Sequence, residues 1–229
     1  MMYLAKSLSH AHGLSSGTGG GGGPCALIGL HATSMVPSFD RVTELPLAAS
    51  PARRLDALLA LDPSVRWISP DLRVETLARA LGLGDLVIRR LRCGNAEFTL
   101  AVAGRSTWSD PEGRDRMFAL KRATRASGAG LLLVPERALF SEPLSSNALL
   151  VAGCRDVRIH PVDRFAVMSG LIEAGGDMPM GDAVGRVSRA DDPVAAVLGL
   201  AAQRWIGLGL DQVIGPSTRI LGPYSALLR

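Results

Sequence analysis

At four points in this chain a polar residue able to cap a helix stands directly before a proline that leads into a helical pattern: Ser50-Pro51, Asp110-Pro111, His160-Pro161 and Asp192-Pro193. Proline has no amide hydrogen to leave unpaired in a first turn, and its φ is already helical, so each junction predicts a helix start. The helix from Pro51 to about Leu61 puts Leu55, Leu58 and Leu59 on one face and stops before Asp62-Pro63. The helix from Pro111 to Ser127 repeats Met117, Leu120, Ala123 and Thr124 at helical spacing, with Gly128 as its stop. A short helix is expected around Glu75 to Leu81.

Short apolar runs lie between these helices. Val65 to Ile68, Asp85 to Arg90, Phe98 to Ala103 and Leu131 to Val134 read as strands, the second and third joined by the turn Cys93-Gly94-Asn95. The run ending at Ala103 is apolar nearly throughout, as a central strand buried on both faces would be. Strand, helix and strand from Phe98 to Val134 imply a right-handed crossover if the strands pair in parallel. Beyond about Arg155 three helical segments take over, Pro161 to Glu173, Met180 to Val187 and Pro193 to Trp205. Gly207 to Ile220 then reads as a two-stranded wing, which completes a helix-turn-helix-with-wing pattern.

Residues 1–48 contain the tract Gly19 to Gly23 followed by Pro24, a composition too poor in apolar surface to offset chain entropy, and are expected to form a flexible arm. Two motif matches fall there, Gly17 to Gly22 for dinucleotide binding and Gly13 to Gly17 for a nucleophile elbow. Neither follows a strand or opens a helix, as both mechanisms require, and both are taken as chance. The expected organisation is therefore an arm over 1–48, an α/β domain over 49–155 and a winged-helix-like domain over 156–229.

No apolar run approaches the roughly 20 residues a membrane-spanning helix needs, and no secretory signal is legible, so a cytoplasmic protein is expected. Cys25, Cys93 and Cys154 are odd in number and far apart, which suits reduced thiols better than a disulfide framework or zinc. His10, His12, His31 and His160 form no ligand pattern, and His160 reads as a helix-start residue. The net charge of +4 comes almost wholly from arginine, since Lys6 and Lys121 are the only lysines; this permits a nucleic-acid partner.

The order of these pieces resembles the TnsA-type endonuclease subunit of heteromeric transposases. In that family an acidic residue on a helix is followed by a strand, a strand with "PDFLV", a strand with "EVK" or "QVK", a helix, a strand ending in "TE" and an Asn-containing helix. The similar pieces here are Leu55-Asp56-Ala57, Gly84-Asp85-Leu86-Val87-Ile88, Phe98 to Ala103, Leu131 to Arg137 and Glu142 to Asn147. The endings Gly207 to Asp211 and Ile214 to Arg219 also look alike, so the likeness spans about residues 50 to 222. Gly84 stands in place of the proline, and Ser69-Pro70-Asp71 with its following helix has no counterpart.

The resemblance implies a restriction-endonuclease-like mixed sheet flanked by helices. It also implies two carboxylates and a lysine around Mg²⁺, the second carboxylate and the lysine at alternate positions of one strand so that both side chains face the same way. Those two positions hold Ala101 and Ala103 here, leaving Asp85 as the sole matched ligand. A degenerate nuclease acting through DNA or protein binding is expected, with no cofactor and no small-molecule substrate. The protein contact would run through the C-terminal domain.

Two other readings stay open. An active Mg²⁺-dependent endonuclease would need Asp56, Asp85, Glu97 and Lys121 to converge, although Glu97 lies about 13 Å along the strand from Ala101. A winged-helix regulator would touch DNA through Arg204 and Arg219. The third tail helix nevertheless looks mostly like core, with Trp205 and Ile206 as buried anchors.

Overall fold

The computed structural model describes residues 49–222. The expected arm, its two motif matches, Cys25 and the first three histidines lie outside these residues. Helix α1 (Pro51–Leu61), strand β1 (Val65–Ser69), helix α2 (Leu72–Ala80) and strands β2 (Val87–Cys93) and β3 (Ala96–Ala103) come first. The short helix α3 (Arg105–Ser109), helix α4 (Pro111–Ala126), strand β4 (Gly130–Pro135), a 3₁₀ turn (Glu136–Phe140) and helix α5 (Leu144–Gly153) follow.

The four junctions predicted to open helices are all caps. Ser50 accepts from the Arg53 amide, Asp110 from those of Glu112 and Gly113, His160 Nδ1 from Val162, and Asp192 from Ala195. Each side chain satisfies an amide that the first helical turn leaves unpaired, which is why the predicted starts are also the observed ones.

The four strands form one mixed sheet in the order β1-β2-β3-β4, with β1 antiparallel to β2, β2 antiparallel to β3, and β4 parallel to β3. Alternation along β3 builds two apolar layers. Leu100 and Val102 face Leu55, Leu58 and Leu59 of α1 together with Leu139 and Ala148. Ala101 and Ala103 face the opposite way, into Val74 and Ala78 of α2 and Met117 and Leu120 of α4. The result is a sheet between two helical layers. At roughly 1.5–3 kcal/mol for each fully buried large apolar side chain, these two layers are its main support.

The C-terminal part runs α6 (Pro161–Glu173), β5 (Asp177–Pro179), α7 (Met180–Gly185), α8 (Pro193–Ala202), β6 (Gly207–Leu208) and β7 (Arg219–Leu221). Its small sheet is antiparallel in the order β5-β7-β6. The sequence predicts two strands here, and the third, β5, comes from a segment too short to show a period of two. The boundary expected near residue 155 falls in the link between α5 and α6. The two parts share apolar surface, because Leu61 and Leu144 pack against both cores.

The sequence predicts a helix running to Trp205, but α8 ends at Ala202. The Trp205 amide bonds back to the Leu200 carbonyl and the Arg204 amide to that of Ala201, with Arg204 at φ +64°. This is the helix-ending pair of bonds whose left-handed position glycine usually fills.

A buried carboxylate ties the turn after α7 to α6. Asp163 is fully buried and accepts from the amides of Ser188 (2.9 Å) and Arg189 (3.1 Å) and from the Ser188 hydroxyl (3.4 Å). Asp163→Ala would strip partners from two backbone amides at once, so a loss of about 3 kcal/mol is expected. Urea unfolding measures it, and a loss below about 1 kcal/mol would mean that water replaces the carboxylate there.

Candidate functional site

The resemblance directs attention to the end of β3 near Ala103. Position 101 lies opposite Ile88 on β2 and Leu133 on β4, and position 103 lies opposite Pro135. Ala101 and Ala103 share one face, as a strand period of two requires, and both have no solvent exposure. The next position inward on that face is Thr99, whose hydroxyl donates to Asp71 Oδ2 at 2.6 Å, while Asp71 Oδ1 caps α2 through the Val74 amide. The polar group nearest the two alanines on this face of β3 is therefore occupied in holding a helix.

Asp85 is exposed in the turn two residues before β2 begins, so it does not stand on the strand that the sequence predicts from residue 85. Leu83 rather than Asp85 is the buried residue of that turn, which moves the strand start to Val87. Glu136, a charged residue just past β4, is half-buried and brings a carboxylate oxygen beside Gly104, where an added Cβ would lie 3.4 Å from it.

The four residues of the rearranged-site reading are not brought together. Asp56, on α1, takes a two-pronged ion pair from Arg89, Nε to Oδ1 at 2.8 Å and Nη2 to Oδ2 at 3.0 Å. That hydrogen bond outweighs burial and holds the Arg89 guanidinium's pKa above its usual value. Glu97 pairs with Arg90 at 2.6 Å at the start of β3, about 20 Å along the strand from Ala103. Lys121 is exposed on α4, across the sheet from Asp56. Among the described residues no three His, Cys, Asp or Glu side chains are grouped so as to hold a metal ion. The residues at the resembling positions do not fit a divalent cation, because two methyl groups packed against Met117 and Leu120 offer neither oxygen nor space.

The two tail arginines expected at DNA are engaged within the chain. Arg204 donates to the carbonyls of Ala60 (2.8 Å) and Val65 (2.6 Å), and more distantly to Leu59 (3.4 Å). Burial, with the charge of Arg155 adding to it, lowers the pKa of this guanidinium from its usual value. Arg219 pairs with Asp177 across the small sheet. Helix α8, which would have to enter a groove, is buried from Ala196 through Ala202. Trp205 is part-exposed, under the Arg164 guanidinium at 4.6 Å, while Ile206 is buried as expected.

Asn147, singled out by the resemblance, lies on α5. Its amide donates to the carbonyls of Leu210 (3.0 Å) and Gln212 (2.6 Å), so it clamps the tail onto α5. Beside it Arg54, 6% exposed, donates to the Ser145 hydroxyl at 2.6 Å, pairs with Glu142 at 3.3 Å and stacks on Phe140. Cys93 and Cys154 are unpaired and half-buried, and burial, aided by the Asp192 charge, pushes the Cys154 thiol pKa up.

Two surfaces escaped the sequence reading. On α6, Val162, Phe165 and Ile172 share one outward face at helical spacing, with Phe165 73% and Ile172 77% exposed. This face offers apolar contact in the part where a protein contact was expected. On α4, Arg114, Phe118, Lys121, Arg122 and Arg125 form one exposed stripe along the flank of the buried row of Met117 and Leu120. The same helical period that identified the core residues could have found both.

No protein-family model matches the chain, and no curated protein matches it. What the structure defines is a mixed α/β protein with a four-stranded sheet flanked by helices. Among the described residues, no helix is long and apolar enough to cross a membrane.

Proposed function

We propose that this chain is a catalytically silent relative of the restriction-endonuclease-type fold, joined to a winged-helix-type part, which holds DNA without cutting it. One observation carries the reading: Ala101 and Ala103 stand side by side, fully buried, where the resemblance requires a carboxylate and a lysine.

The sheet order supports the nuclease-type part. Three antiparallel strands followed, across α4, by a fourth parallel to the third agree with a mixed sheet flanked by helices. The order helix, strand, helix, helix, strand, strand from α6 to β7 supports the winged-helix part, with β7 between β5 and β6. Since α8 is core and Arg204 and Arg219 are engaged, this second part braces the first, and its third helix does not read bases. The net charge of +4 supports a polyanionic partner.

Supercoiled plasmid incubated with the protein and Mg²⁺ or Mn²⁺ tests the reading. No conversion to nicked or linear forms is expected. Metal-dependent nicking that disappears in Asp85→Ala would overturn it.

A further inference from the structure

We propose that the outer face of α4 is the surface by which this protein contacts duplex DNA, through the phosphate backbone and independently of base sequence; this rests on the DNA-holding reading above. The buried face of α4 is Gly113, Met117, Leu120 and Thr124. Beside it the helix turn, at about 100° per residue, brings Arg114, Phe118, Lys121, Arg122 and Arg125 into one exposed stripe, with Asp115 at its outer edge. From Arg114 to Arg125 it runs about 16 Å at 1.5 Å per residue.

Four cations in that length carry no ion pair among the described residues. The helix's acids, Glu112 and Asp115, both lie in its N-terminal third, and Glu112 is taken by Arg116 at 3.5 Å. Arg114 makes only a 3.4 Å contact to the Trp108 carbonyl. Elsewhere several exposed or half-exposed arginines do have carboxylates: Arg89, Arg90, Arg186 and Arg219 are all paired. Unpaired charge concentrated on one rigid helix is what a polyanion recognises. Duplex DNA carries one charge per about 1.7 Å of axis with both strands counted, so a stripe of about 16 Å spans a length of duplex that holds roughly ten phosphates, of which one side meets the stripe.

The shape selects the duplex over a single strand. Single strands are held in grooves lined by several aromatic platforms, whereas this face is convex and carries one ring, Phe118, 45% exposed. No side chain on it is positioned by a partner that would fix hydrogen bonds to base edges, so the contact is electrostatic.

The test is fluorescence anisotropy of the full chain with a labelled duplex and with the corresponding single strand, across a salt series. The variants are Arg114→Gln/Lys121→Gln/Arg122→Gln/Arg125→Gln and, separately, Phe118→Ala. The quadruple variant is expected to melt like the parent, because all four side chains are exposed. It is expected to bind duplex about 100-fold or more weakly at 0.1 M salt, with the slope of log K against log salt reduced by about 3 to 4. Phe118→Ala should change duplex affinity less than about threefold, since stacking is not used. If the parent binds duplex and the quadruple variant retains its affinity and slope, the surface is wrong while the DNA-holding reading stands. If the parent binds neither DNA, both fall. Tighter binding of the single strand, lost in Phe118→Ala, would overturn the duplex assignment.

Discussion

Installing a carboxylate and a lysine on this strand, Ala101→Glu together with Ala103→Lys, is expected to unfold the protein rather than to create cleavage. Both positions are fully buried in an apolar layer with Val74, Ile88, Met117 and Leu120. Glutamate and lysine there would each add several heavy atoms to a packed layer, at about 1–3 kcal/mol for overpacking. Each buried charge costs several kcal/mol more, and their mutual attraction returns only part of that without further hydrogen bonds. Against a typical net stability of about 5–15 kcal/mol, the sum removes cooperative folding at room temperature. Circular dichroism and urea titration of the double variant read this directly. Ala101→Ser serves as the mild control, expected to cost about 1–3 kcal/mol for one buried hydroxyl. A double variant that melts like the parent would show that a cleft opens at the end of β3, and with it the silent-nuclease reading would fail.

Arg204 gives the second large effect and an internal ordering. Its guanidinium donates two short hydrogen bonds and one long one to carbonyls of α1 and β1, while its backbone sits at φ +64°. Arg204→Ala keeps the unfavourable backbone and leaves these carbonyls without their donor, so a loss of about 2–4 kcal/mol is expected. Arg204→Gly loses the same bonds but relieves the left-handed backbone, and should be about 1 kcal/mol less damaging. Thermal melts should therefore rank the parent above glycine and glycine above alanine. Alanine equal to the parent would remove Arg204 as the link between the two parts. The role expected from sequence, a DNA contact, would then be open again for this side chain.

Much of the framework was legible because it is local. A capping oxygen or ring nitrogen one residue before proline acts within a single turn, and Ser50, Asp110, His160 and Asp192 all do so. The alternation that sends Leu100 and Val102 one way and Ala101 and Ala103 the other is a property of the strand itself. The start of β2 was misplaced by two residues because the turn at Leu83 to Leu86 is decided by burial of Leu83 under α2 and α4, a long-range fact.

The candidate site was legible only as a pair of alanines. Which helix covers them, and whether Asp56, Glu97 and Lys121 approach, depends on sheet order and on which face each helix packs against. Asp56 and Lys121 are separated by the sheet, though both sit on amphipathic helices of similar appearance. Arg204 shows the same limit, since an arginine after an apolar helix looks like a surface residue until its three carbonyl acceptors, more than 130 positions away in sequence, come into place.

The sequence by itself determined where helices begin, which strand residues share a face, and that positions 101 and 103 on that shared face carry only methyl groups. Those features depend on backbone geometry within a few residues. Only the tertiary structure decided that the methyl groups are sealed by α2 and α4, that Asp56 and Glu97 are spent on separate arginines, and that the cations of α4 are left facing outward. Burial and charge pairing are relations between distant segments, and no local period encodes them.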